Sequence, residues 1–282
     1  MENHVESSAF DIAWKNRNVS IGLSVLLIII VLALIGPIFT KDPFSLSPMS
    51  RLKPPGDFGL FGTDQLGRDV FSRVVNGGRI SLTVGLSVAV FAILVGTILG
   101  LIAGYVRALD SIIMRVMDGL MAIPAILLAI AMISLSGASL ATVIAAIVIP
   151  EVPRVVRLVR SVVLTVREEP YVEAAISVGT PVHLIMHRHI LPNTIAALIV
   201  QATYICGSAM LTEAILGFLG AGIPPEIPSW GNIMSEGRTF FQLTPWIIFF
   251  PGIALAVTVL SVNIVGDGLR DTLDPRIARS LK

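Results

Sequence analysis

Long stretches of this chain carry no charged residue, and short polar stretches separate them. The first charge-free run, 19–39, is preceded by Trp14, Lys15 and Arg17, and is followed at 40–59 by a segment rich in Pro, Ser and Gly. Its apolar length exceeds a signal-peptide core, and Gly36-Pro37-Ile38-Phe39 is no small-residue cleavage site. We read it as a retained helix. The next run, 80–106, places Gly96, Gly100 and Gly104 four residues apart on one helix face, where another helix backbone can approach closely. The run 119–150 is too long for one span and too short for two comfortable ones. The polar knot from Ser134 to Ser139 reads as a turn dividing it. The fourth helix then continues past Pro150 toward Arg160. The fifth run is 190–212, and the sixth is 239–266, with Pro245 at the helix start.

A helix needs about 20 apolar residues to cross a bilayer. Six transmembrane helices are therefore expected: the chain is all-α and polytopic. Both termini then lie on one side. Placing them in the cytoplasm puts thirteen Lys and Arg inside and seven outside, the direction that positive-inside bias requires. The expected division is a tail 1–18, a first helix 19–39, an outer loop 40–79, a transmembrane domain 80–270 with a cytoplasmic loop 167–190, and a tail 271–282. Within the outer loop, Asp69 caps a short interfacial helix that Gly77-Gly78 closes, with Val70, Phe71, Val74 and Val75 on one face.

Composition agrees with this class. Hydrophobic residues make up 54% of the 282 positions and charged residues 14%, against about 25% charged in soluble domains. The net charge of +1 gives no basic field for nucleic acid. Cys206, the only cysteine, lies in an apolar run and reads as a packing residue. The four lysines, Lys15, Lys41, Lys53 and Lys282, none of them after a glycine, exclude a phosphate-binding P-loop. A catalytic H-E-x-x-H or G-x-S-x-G cluster is missing too. The chain is not read as an enzyme and needs no cofactor.

The chemistry-bearing stretch is 167–193. Pro170 suits a first helical turn and Gly179 the position just past the end. Tyr171, Ala174, Ala175 and Val178 share a face, and the small alanines leave a narrow ridge that fits a groove on another protein. His183, His187 and His189 lack the further ligands zinc requires, so they read as interfacial contacts and no metal is expected. Glu213, just beyond the fifth run, is a candidate for the pore or gate, or for a structural pair with Arg79. Arg154, Arg157 and Arg160 recur every three residues and read as a stripe meeting anionic headgroups.

Glu173-Ala174-Ala175, Gly179 and Leu191-Pro192 resemble the EAA motif of ABC importer permeases. His189 stands where that motif usually has isoleucine, and Arg188-His189-Ile190-Leu191-Pro192-Asn193 resembles the dipeptide, oligopeptide and nickel branch. Three further blocks are similar to the C-type (second) permeases of that branch: Gly62 to Arg73 (GTDQLGRDVFSR), Gly217-Phe218-Leu219-Gly220 with Pro228-Ser229-Trp230-Gly231, and Gly266 to Pro275. The resemblance implies a type I ABC importer transmembrane domain in a bacterial cytoplasmic (inner) membrane. It implies a homologous permease as partner, two ATP-binding subunits and an extracytoplasmic solute-binding protein. In such an assembly Tyr171, Glu173, Ala174, Ala175, Gly179, His189, Leu191 and Pro192 would couple the pore to the ATPases. Peptides or nickel complexes would be the cargo. A gradient-driven secondary transporter is the rival reading, and its expected signs, paired intramembrane acids or broken helices at corresponding positions, are not clear in the sequence.

Overall fold

A computed structural model describes residues 17–56 and 58–273. The described residues are helical and form no strand; two isolated bridges, Gly56 with Gly59 and Thr63 with Asp69, pin turns between the first two helices. Helix α1 spans Arg17–Phe39, α2 Val70–Tyr105, α3 Arg107–Ala122, α4 Ala125–Ser136 and α5 Leu140–Val166. Short α6 (Pro170–Ser177) and α7 (Val182–Ile185) follow, then a π turn at Met186–Ile190 that runs into α8 (Leu191–Phe218). Helix α9 (Trp230–Gly237) and α10 (Trp246–Leu273) complete the described chain, with Pro245 just before α10.

The glycine ladder sets the tightest packing. A Cβ on Gly100 would lie 2.7 Å from Val159 Cβ, one on Gly104 would lie 2.6 Å from Val163 Cβ, and one on Gly96 would collide with Val155. Rows spaced four residues apart on α2 and α5 thus interlock, and only glycine allows that approach. One buried core lies among α2, α4, α5 and α8; a second lies among α2, α8, α9 and α10.

The structure departs from the sequence reading at two places. Residues 69–76 are no separate helix. Asp69 does cap, its carboxylate accepting from Ser72 N, but the helix runs unbroken to Tyr105. Gly77 and Gly78 are buried instead of terminating it, because the Ser229 backbone and the Trp230 ring occupy the space their side chains would fill.

Length and apolarity alone count fewer spans than six. Among the described residues, four helices are long and apolar enough to cross a membrane: Val19–Phe39, Val70–Tyr105, Val182–Phe218 and Trp246–Thr272. A fifth span results only if α3 and α4, which meet at 89°, count as one. Six is not reached by length and apolarity, because α5, though 27 residues long, carries Glu151, Arg154, Arg157 and Arg160. The α3–α4 bend follows from Pro124, which disfavours helical geometry at the residue before it; Ile123 is extended at φ −92°, ψ 129°. The polar knot is a turn as expected, with Gly137 at φ +84° and Ser139 capping α5 through Thr142 N.

The second departure is that the Arg154, Arg157 and Arg160 side chains are engaged by acids of the protein itself. Arg160 pairs with Asp110 at 2.5 Å, Arg157 with Asp118 at 2.6 Å, and Arg154 with Glu151 at 3.3 Å. The first two pairs stitch α3 to α5, which the reading as a headgroup stripe did not foresee. The expected tails lie largely outside the described residues, although α10 extends to Leu273.

Candidate functional site

Helix α6 is built by local signals. Pro170 opens it, and Val172 N bonds Glu169 O at 2.9 Å. It closes in a Schellman arrangement: Thr180 N donates to Ala175 O at 3.0 Å and Gly179 N to Ile176 O at 2.9 Å. Gly179 has φ +83° and open space around its Cβ position, so backbone conformation, and no steric neighbour, demands glycine there.

Val172 is fully buried and anchors the helix to the main core, while Ala175 is half-buried against it. Tyr171, Glu173, Ala174, Ile176 and Val178 are exposed, Val178 by 86%. The expected face is therefore open at Tyr171, Ala174 and Val178, and turns inward at Ala175.

The segment 186–193 supports α6 from the other side. Pro192 has no N–H to give the Arg188 carbonyl, and the turn before it widens to π register, with Leu191 N bonding Met186 O. Asn193 Nδ2 reaches both His189 O at 2.6 Å and Tyr171 Oη at 3.2 Å, and the His189 ring lies 6.0 Å from the Tyr171 ring. Tyr171, His189, Pro192 and Asn193 thus form one corner, and Leu191 starts α8. Glu173 is separate from it. It lines a groove of about 370 Å³ with Tyr105, Arg107, Arg167, Glu168 and Ile176, where the ends of α2, α5 and α6 meet. His183 and His187 are exposed.

Glu213 is fully buried in the middle of the fold. Ser81 Oγ donates to its Oε2 at 3.1 Å and in turn accepts from Trp230 N at 3.3 Å, linking α2, α8 and α9. Arg79 is exposed and makes no ion pair with it.

Sequence reasoning missed a charged cluster at the opposite end. Asp64 is fully buried and accepts four bonds, from Leu66 N, Arg68 N, Arg68 Nε and Arg73 Nη1, at 2.6–2.9 Å. Arg73, 2% exposed, also forks onto Glu236 of α9 at 2.7 and 2.9 Å. Gln65 and Arg68 reach the same carboxylate. Burial opposes ionisation of Glu236, but the Arg73 bonds, the Arg73 and Arg68 charges and the Gln65 bond outweigh it. They hold its carboxyl below the usual range. Asp64, Arg68 and Arg73 all lie in the 62–73 block, so the residues were visible; their partner 163 residues onward was not.

Residues 73–279 match the family described as binding-protein-dependent transport system inner membrane component. The chain is 54% identical over 268 residues to the probable peptide ABC transporter permease protein y4tQ of Sinorhizobium fredii, covering 95% of this chain and 92% of that one. It is 44% identical to the dipeptide transport system permease protein DppC of Alkalihalophilus pseudofirmus, covering 95% and 89%. Among solved structures, a chain of the MetNI methionine ABC transporter in an inward-facing conformation superposes with a TM-score of 0.57 at 18% identity, covering 74% of this chain and 96% of that one. This likeness concerns the fold, that of a type I ABC importer transmembrane domain. Taken with the all-helical bundle and the projecting α6, these matches place the chain in the binding-protein-dependent transport system inner membrane component family, as a multi-pass ABC transporter permease.

Proposed function

We propose that this chain forms half of the translocation pore of an ATP-driven peptide importer, with α6 as the element its ATPase grips. The reading is carried by one observation: a short helix, anchored by a single buried valine, presents Tyr171, Ala174 and Val178 beyond the bundle. A helix exposed in this way fits a groove on a partner and transmits its movement to α5 and α8, between which it is strung. The α6 end would face the cytoplasm, with both termini, and residues 40–69 would face the solute-binding protein. A homologous permease would supply the other half of the pore, and two ATP-binding subunits the drive. Peptide as cargo is supported by the relatives, whose names specify peptide and dipeptide transport.

The test is uptake of a labelled dipeptide into vesicles supplied with ATP, with the proton gradient collapsed. ATP-dependent uptake is expected in the wild type, together with loss of more than about 90% in Ala174→Trp, whose bulk would hold α6 out of its groove. Uptake that stops when the gradient collapses would sink the ATP-driven reading, and normal uptake by Ala174→Trp would sink the role of α6.

A further inference from the structure

Five of the described helices exceed 20 residues: α1, α2, α5, α8 and α10. Four of them expose large apolar side chains, such as Leu27, Leu94, Ile199 and Leu260. Helix α5 exposes none. Its free face over the second half carries Arg154, Arg157, Ser161 and Thr165, spaced three, four and four residues apart. Such a face cannot be turned to hydrocarbon cheaply.

Depth can be counted along α2, whose residues run in step with those of α5. Val155 packs on Gly96, eleven residues before Arg107, the first charge past the apolar run of α2. That is ~16 Å of helix, about half of a ~30 Å hydrocarbon core. Arg157, two residues further along α5, lies ~13 Å from the level of Arg107, and Asp118 pairs with it at 2.6 Å. Arg154 and Arg157, with Asp118 beside Arg157, thus have their backbones within the hydrocarbon depth. They remain open: their side chains are 46%, 45% and 60% exposed. Charges at mid-depth that are half open require water or a polar partner beside them.

We propose that Arg154, Arg157 and Asp118 form a charged constriction in the water-filled solute path, where the arginines take a free carboxylate and Asp118 an ammonium. The proposal rests on the pore reading above and adds the side chains that meet the two charged ends of a zwitterionic solute. The resting Arg157–Asp118 pair makes passage inexpensive. A zwitterion entering between them exchanges one ion pair for two, with no change in net charge, so no charge is left bare at mid-depth. Ion pairs that are half solvated are also weak enough to release the solute.

The experiment uses the assembled importer with Cys206→Ala as background. Cysteine is introduced at Ser161, one helical turn from Arg157, and reacted with anionic and cationic membrane-impermeant methanethiosulfonates. The anionic reagent should react about tenfold faster, because the arginines concentrate anions. Arg157→Gln should erase that preference and lower uptake of labelled dialanine at least tenfold. Leu94→Cys, on the apolar surface, should stay inert to both reagents. If Ser161→Cys is as inert as Leu94→Cys, lipid or a partner helix covers the face and the proposal is overturned. An anionic preference that survives Arg157→Gln, or unchanged dialanine uptake in that variant, overturns it equally. A wild-type complex that never takes up dialanine would instead sink the peptide reading, while the reagent rates still decide whether an anion path exists.

Discussion

At one end of the bundle Arg73 is 2% exposed and shared between two carboxylates from segments far apart in sequence; at the other, α6 hangs from one buried valine with its best face uncovered. The first end is closed on itself. Residues 62–73 and α9 are locked by Asp64, Arg68, Arg73 and Glu236, and Trp230 Nε1 adds a bond to Val74 O at 3.0 Å. Asn232 adds three more bonds, to the carbonyls of Ile223, Pro224 and Ile227. The second end is held by the Asn193 bond to Tyr171 Oη, the Arg167 bond to Gly104 O at 3.3 Å and a glycine cap. Where polar groups satisfy each other inside the chain, they fix a shape; on α6, apolar and aromatic groups are left exposed. On the proposed reading, the closed end is a fixed frame and α6 the part that is moved.

The comparison breaks most severely at Arg73. Arg73→Met removes the donor shared by Asp64 and Glu236, leaving buried carboxylate with one cation fewer. Losing one partner of a buried pair costs on the order of 3–5 kcal/mol. The purified permease should unfold at a distinctly lower temperature, with proteolysis of the 40–69 segment as the local readout. A smaller effect is expected at the open end. Gly179→Val forces a β-branched residue to φ +83°, a strain of about 1–3 kcal/mol. It should misdirect α6 and reduce transport strongly while the melting temperature stays close to wild type. Gly179→Asn, which tolerates the left-handed region, should retain most transport.

The mildest effect is on pH dependence. The folded Glu236 carboxyl titrates below its ordinary value of 4.5, so its stabilising contribution is complete above that value and declines as pH falls through the depressed one. Protection of the 40–69 segment from protease should be flat from pH 7 to about 5 and fall in stronger acid. Glu236→Gln should flatten the acid limb. A loss centred near neutral pH would contradict a carboxylate held ionised by Arg73 and Arg68.

What could be read from the sequence follows the range of each interaction. The ends of α6, the Asp69 cap, the Pro245 start and the Gly96–Gly100–Gly104 face are set within a few residues, and each is found where the pattern put it. Gly77-Gly78 misled because two glycines signal a stop and a close approach equally well, and only the distant Trp230 decides between them. The α5 charges looked like a headgroup stripe because two of their acidic partners sit on α3, 39 and 50 residues away. Glu236 escaped notice for the same reason, and of the two readings of Glu213 the pair with Arg79 fails, since Ser81 on α2 bonds its carboxylate instead.

The most direct test of α6 as the moved part is a cross-link at Val178, the most exposed large apolar residue at its end. In a Cys206→Ala background, Val178→Cys should join the ATP-binding subunit through a short bifunctional reagent, with a yield that changes when ATP is added. A Val178→Cys that stays unlinked in the fully assembled complex, or reacts only with reagent confined to the face opposite the ATPase, would contradict it.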